Sequence, residues 1–333
     1  MLGTLLIFSK RTGTRLLGAS IATAMLVSAC GSDSADSSGL TIVATTSIAG
    51  DLVSQIVGED ATVEVLMPVG SDPHDFQPSS QQAASLRSAD LVVAWGLGLE
   101  EGMEDVLDSA AGDGVRVLEL SAGVDPIAYE DRADDHDDDS DEGDHDDADH
   151  DDADHGHEGL DAHTWMDPVR MADAVRQIGE TLTEIAPEGD WDARAEGVAQ
   201  DLMGLHDEIA ALLDIVPEER RKLVTNHDSF RYFAARYGFE IVGVAIPGGS
   251  TLASPSSAQI AELIETIRST GVEVLFAETS SPAALLDAVA EEVDGARVVE
   301  LLEGSLAAPG EPGDTYAEMM LLNAETIAEA LAP

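Results

Sequence analysis

The segments "PSSQQAASL" (residues 78–86) and "PSSAQIAEL" (residues 255–263) agree at six of nine positions. Each opens with a serine-rich N-cap, whose hydroxyls satisfy the free N–H groups of a first helical turn. Each is followed by a hydrophobic strand run, "LVVAW" after the first and "VEVLFAE" after the second. Read as equivalent helices, they predict two related α/β lobes in one chain. Around the first copy lie a strand in "LTIVATT" (40–46), an amphipathic helix over 48–57, and strands in "TVEVLM" and "VRVLEL". Around the second lie strands in "KLVTN", "FEIVGVAI" and "ARVVEL" and a last helix over 314–331. Strands alternating with helices at this spacing predict parallel-type sheets flanked by helices. Between the halves, "GDWDARAEGVAQDLMGLHDEIAALLD" (189–214) has the periodicity of a single helix of about seven turns. Such a helix predicts a rigid rod joining an N-terminal lobe (40–188) to a C-terminal lobe (215–333), and 333 residues suit two domains.

The formal charge of −50 excludes nucleic acid as a partner, because phosphate is repelled, and favours cations. The single cysteine, Cys30, excludes a disulfide framework and a multi-cysteine zinc cluster. Lys10, Arg11 and Arg15 precede the apolar stretch "LLGASIATAMLVSA", which stops just before Cys30. Residues 1–29 therefore read as an export signal, the apolar part falling short of the ~20 residues of a spanning helix. An uncleaved anchor helix is the alternative. "LVSAC" resembles the lipobox of bacterial lipoproteins, which implies lipidation of Cys30, a flexible tether over 30–39, and a protein held at the outer face of the cell membrane.

Residues 131–158 hold fourteen Asp, two Glu and five His (His136, His145, His150, His155 and His157), with scarcely any apolar side chain. That composition predicts a disordered loop able to collect divalent cations weakly, without fixed geometry. Four histidines remain. His206 lies on the long helix among acids and reads as solvent-facing. His74 in "GSDPHDFQPSS", His163 in "DAHTWMDP" and His227 in "VTNHDSF" sit in loops or at element ends, the positions where α/β folds place ligands. Neutral imidazole is the usual protein ligand for zinc where no thiolate is available.

"DPHDFQP", "HTWMDP", "TNHDSFRYFAARYGF", "SPSSAQIAELI" and "GDTYAEMMLLN" resemble, in that order, motifs of the zinc- and manganese-type solute-binding proteins of bacterial ABC importers. The resemblance implies two α/β lobes joined by a rigid helix, with a metal ion in the interlobe cleft. It implies His74 and His163 as ligands from the N-lobe, His227 from the C-lobe, and Asp314 of "GDTY" as a fourth. Asp314 also reads as the N-cap of the last helix. Glu278, in "FAETSS", is implied as a residue that orients a histidine. The implied partners are a divalent metal, a membrane permease and, through a lipid anchor, the membrane, with the chain itself a monomer and not an enzyme.

Three imidazoles and one carboxylate suit Zn²⁺ more than Mn²⁺, and manganese-type members resembled here tend to carry Glu at the His227 position. The acidic loop is read either as a device that captures or senses zinc or as an insertion that only adds charge. Alternative functions are a manganese importer component, a metal-dependent adhesin, a binder of a chelated metal or organic ligand, and a zinc metallohydrolase. The last lacks H-E-x-x-H or any serine or cysteine nucleophile pattern.

Overall fold

In the computed structural model, described over residues 39–129, 159–281 and 283–333, the two halves repeat one run of strands and helices. The first contains β1 (Leu40–Ala44), α1 (Ser47–Val57), β2 (Ala61–Val65), α2 (Ser80–Ser88), β3 (Leu91–Ala94), α3 (Glu104–Gly112) and β4 (Arg116–Glu119). Two helices, α4 (Pro168–Ile185) and α5 (Trp191–Leu213), lead to the second. It contains β5 (Lys222–His227), α6 (Arg231–Tyr237), β6 (Glu240–Ile246), α7 (Ser257–Thr270), β7 (Val274–Glu278), α8 (Ala284–Glu291), β8 (Arg297–Leu301) and the closing α9 (Tyr316–Leu331). Strands pair in parallel in the orders β2-β1-β3-β4 and β6-β5-β7-β8, one topology used twice. The repeated serine segments are the starts of α2 and α7. Ser79 and Ser256 cap them, and Gln82 and Gln259 reach back to the cap's own N–H.

Strand order explains the two kinds of hydrophobic run. β1, β3, β5 and β7 are interior strands covered on both faces, hence the unbroken "IVA" and "LVVA". β2, β4 and β8 lie at edges and interleave charged residues. Successive side chains point to opposite faces of a strand, and here they enter different cores. Val43 and Val92 pack with Leu86 of α2 and Ala110 of α3. Val224 and Leu275 pack with Leu263 of α7 and Leu286 of α8. Ile42, Val93, Leu223 and Phe276 all belong to a third cluster that takes in α1, α4, α5, α6 and α9. The apolar core is therefore continuous from one lobe to the other.

α5, about 35 Å long at its 23 residues, carries the chain across inside the expected 189–214 span. α4 packs along it at close range, because residue 179 is glycine. A Cβ there would stand 2.5 Å from the Ala195 Cβ. α9 returns against α5 and α1. Its N-cap is Thr315, whose hydroxyl accepts the Glu318 N–H, and not Asp314 as expected. The leader, Cys30, the tether and the loop with His136, His145, His150, His155 and His157 lie outside the described residues.

Candidate metal centre

The carboxyl ends of second-sheet strands and two connections of the first lobe meet at one buried point, the end of an open α/β sheet where ligands bind. His227 is the last residue of β5, and Glu278 the last of β7. Glu303 follows β8 by two residues. His74 lies in the connection from β2 to α2. His163 precedes the short 3-10 turn Thr164–Met166, which leads into α4. All five side chains belong to residues at most 2 % exposed. The His163 Nε2 stands 3.3 Å from the His74 Nε2 and 3.1 Å from the His227 Nε2. Three ring nitrogens from two lobes thus crowd one spot with no room for another side chain between them.

Each ring has an acid on its far side. Asp161 Oδ1 accepts from the His163 Nδ1 at 2.8 Å and from the His163 backbone N–H at 2.9 Å. Glu278 Oε2 pairs with the His227 Nδ1. Glu101 Oε1 lies 3.4 Å from the His74 Nδ1. The His163 Nδ1 is hydrogen-bonded to its carboxylate, and a carboxylate stands beside the Nδ1 of the other two rings, so Nε2 is the nitrogen each turns to the shared point. The acids are themselves held. Tyr129 donates its hydroxyl to Asp161 Oδ1 at 3.1 Å, and Ser229 donates to Glu278 Oε1 at 2.6 Å. The Glu278 N–H reaches Asn226 Oδ1 at 3.0 Å.

Glu303 completes the cluster from the C-lobe. Ligand atoms of His227, Glu278 and Glu303 lie within 4.8 Å of one another, as do those of the three histidines. The Glu303 Oε1 is buried with no hydrogen-bond partner among the described residues, which a cation would supply.

Burial decides most of the charge states. It pushes His74 down to about 3 and His163 well below the usual imidazole value, and the neighbouring rings add to both shifts. Burial also opposes a charge on His227, but the acids around it, Glu278 foremost with Glu303 and Asp72, together lift that ring to about 9. Glu303 is raised well above the carboxylate range by burial and then by Glu278. Burial lifts Asp161 to about 7. Burial thus favours the neutral form of His74, His163 and Glu303, while the acids around His227 favour its protonated form.

Of the residues expected at the site, the structure brings together His74, His163, His227 and Glu278. It does not bring Asp314 to them. The Asp314 Oδ2 accepts the Gly310 N–H at 2.6 Å and closes the turn before α9, while Glu303, earlier in the same connection, reaches the cleft. Glu303, Asp161 and Glu101 were missed. Asp161 carries a signal, since it precedes His163 by two residues. His206 is half-buried against Tyr237 and not solvent-facing.

Residues 42–330 match the family described as "Zinc-uptake complex component A periplasmic". The manganese-binding lipoprotein MntA of Halalkalibacterium halodurans is 27% identical over 315 residues, covering 93% of this chain and 95% of that protein. The zinc-binding lipoprotein AdcA of Streptococcus pneumoniae is 29% identical over 94% of this chain and 60% of its own length. The periplasmic zinc binding protein TroA from Treponema pallidum superposes with a TM-score of 0.76 at 26% identity, covering 89% of this chain and all of that one. Relatives of this kind are extracytoplasmic lipoproteins, and no described helix here is long and apolar enough to cross a membrane. A pocket built from both lobes and a match over nearly the whole folded body lead to one conclusion: the chain belongs to the zinc-uptake complex component A family, the metal-binding components of ABC importers, which bind and hand on their ion to a membrane permease without catalysis.

Proposed function

We propose that the transported ion is Zn²⁺, held by His74, His163, His227 and Glu303, with Glu278, Asp161 and Glu101 orienting the three rings. The observation that carries this reading is the convergence of three Nε2 atoms from two lobes. Three nitrogens and one carboxylate oxygen form a four-coordinate, borderline-soft set, which suits zinc, whereas manganese takes more oxygen and a higher coordination number. A manganese reading rests on one feature, the two carboxylates Glu278 and Glu303 beside the same ring. The chain works as a monomer anchored through a lipid on Cys30, after removal of residues 1–29, with residues 30–39 as tether. The five loop histidines gather zinc loosely for the interlobe site.

The test is native mass spectrometry after loading with Zn²⁺, Mn²⁺ and Fe²⁺ together and dialysing against a weak chelator, with and without residues 131–158. One retained zinc per chain in both forms is the expected result. A retained manganese or iron overturns the choice of metal. Metal lost with the loop overturns the site.

A further inference from the structure

We propose that Thr251 and Ser305 of the C-lobe are positioning residues for His74, two latches across the cleft whose opening frees the ion. The inference rests on the interlobe metal site described above. His74 belongs to the N-lobe by sequence, yet its connection is fastened largely by the other lobe. Asp72 is the link. Its Oδ1 accepts the His74 backbone N–H at 3.0 Å, and its Oδ2 accepts the Thr251 hydroxyl at 2.6 Å. On the other side, the Gly70 N–H donates to the Ser305 Oγ at 2.8 Å. Ser305 follows Glu303 by two residues, and the next N–H, of Leu306, donates at 2.9 Å to the Ser47 Oγ at the start of α1. Between the two fastenings Pro73 lies on Gly304, where a Cβ would stand 2.8 Å from the Pro73 Cδ. Any side chain at residue 304 would push the His74 segment away from Glu303.

Residues 70–74 are thus clamped to the C-lobe before and at the ligand-bearing turn. A carboxylate bonded at both oxygens fixes a direction that one bonded at a single oxygen does not. While Thr251 holds Oδ2, Asp72 holds the His74 backbone in the one orientation that aims Nε2 at its partners. Hydrogen bonds are short-ranged, so a small separation of the lobes breaks the Thr251 bond while the shared core stays packed. The lobes then need not swing apart for the ion to leave. Losing one ligand's alignment is enough to speed release.

The full chain is loaded with Zn²⁺ and mixed with excess chelator, and release is followed by stopped flow. T251V removes the hydroxyl while keeping a β-branched side chain of similar shape. Its release rate is expected to rise roughly tenfold or more, the effect of one hydrogen bond to a charged group, with one zinc still bound at saturation. T251S restores the wild-type rate, and S305A accelerates release through the second clamp. Wild-type rates in both T251V and S305A overturn the proposal, as do equal rates in T251V and T251S, which would mark a packing effect. If the wild type keeps Mn²⁺ in place of Zn²⁺, the metal assignment falls and the latch is read in the same way on Mn²⁺ release. A wild type that keeps no ion overturns both.

Discussion

Thr46 and Trp95 in the first lobe occupy the positions that His227 and Glu278 occupy in the second. The registers Ala44↔Val93 and Thr225↔Phe276 align the two sheets, and both pairs stand two residues further on. In the first lobe Trp95 Nε1 donates to the Thr46 Oγ at 2.9 Å, and the same oxygen caps α1 through the Ala49 N–H. In the second lobe the pair is an imidazole and a carboxylate aimed into the cleft. One backbone frame thus ends in a structural bond on one side and in metal chemistry on the other. The N-lobe supplies its ligands from longer connections, which depend on Asp72 and Asp161 for their aim. His227 and Glu278 are set by strand ends and the N-lobe histidines by loops, a contrast that makes the first the rigid side and the second the adjustable side to be tested.

The sharpest way to break this comparison is to exchange roles at the equivalent positions. Zinc-site binding energies of about 10–16 kcal/mol shared among four ligands assign roughly 3 kcal/mol to each, so H227A loses over 100-fold in affinity by competition titration. T46V leaves affinity unchanged and lowers the unfolding free energy in urea by about 1–2 kcal/mol, through the lost cap and the lost indole bond. D314N binds zinc as the wild type does, whereas E303A falls with H227A. A loss in D314N with none in E303A would return the fourth ligand to Asp314.

The pH dependence of affinity comes next in size. His227 is raised to about 9 in the metal-free protein, so below that pH the ion must displace a proton from it. His74 and His163 are pushed the other way and are already neutral, so they set no such requirement near pH 7. The His227 proton alone makes affinity rise about tenfold per pH unit from 7 towards 9 and then flatten, and a proton on Glu303 steepens that rise where it too is displaced. Calorimetry at pH 7 in buffers of different ionisation enthalpy is expected to detect the released proton. An affinity already flat above about pH 6.5, as for ordinary imidazoles, would mean that Glu278 does not hold a charge on His227.

Replacing that acid tests the rigid side alone. E278Q keeps the shape and removes the charge, and it is expected to weaken zinc binding 10–100-fold at pH 9, the usual range for a group that orients a ligand. It also moves the bend in the pH profile below 9, because the counter-charge is gone while the burial remains.

Much of this frame was legible from residue order alone. Unbroken runs such as "LVVA" read as interior strands because both their faces are covered, and the two serine–glutamine segments read as equivalent helix starts because capping is a local property. The three histidines stood out because imidazoles are few outside the acidic loop. The acids did not stand out, since 66 of them compete for notice and only burial separates Glu303 from its exposed fellows. Asp314 was expected as the ligand because the resemblance implied it through the "GDTY" motif. The path of the chain between β8 and α9, which takes Glu303 and not Asp314 to the cleft, is a tertiary fact that no local pattern encodes.

The smallest effect is expected on the adjustable side. Tyr129, from the N-lobe, packs its ring under the Arg231 guanidinium at 5.0 Å and against Gly249, both of the C-lobe, and its hydroxyl reaches Asp161, which holds His163. Y129F removes one hydrogen bond and leaves the ring contacts in place. A bond of about 1 kcal/mol corresponds to roughly a fivefold loss of zinc affinity if all of it is felt at His163. Asp161 keeps its two bonds to His163, so the loss should stay at or below that figure, well short of E278Q. A Y129F loss as large as that of E278Q would show that His163 is fixed as firmly as His227, and the contrast between a strand-built side and a loop-built side would fail.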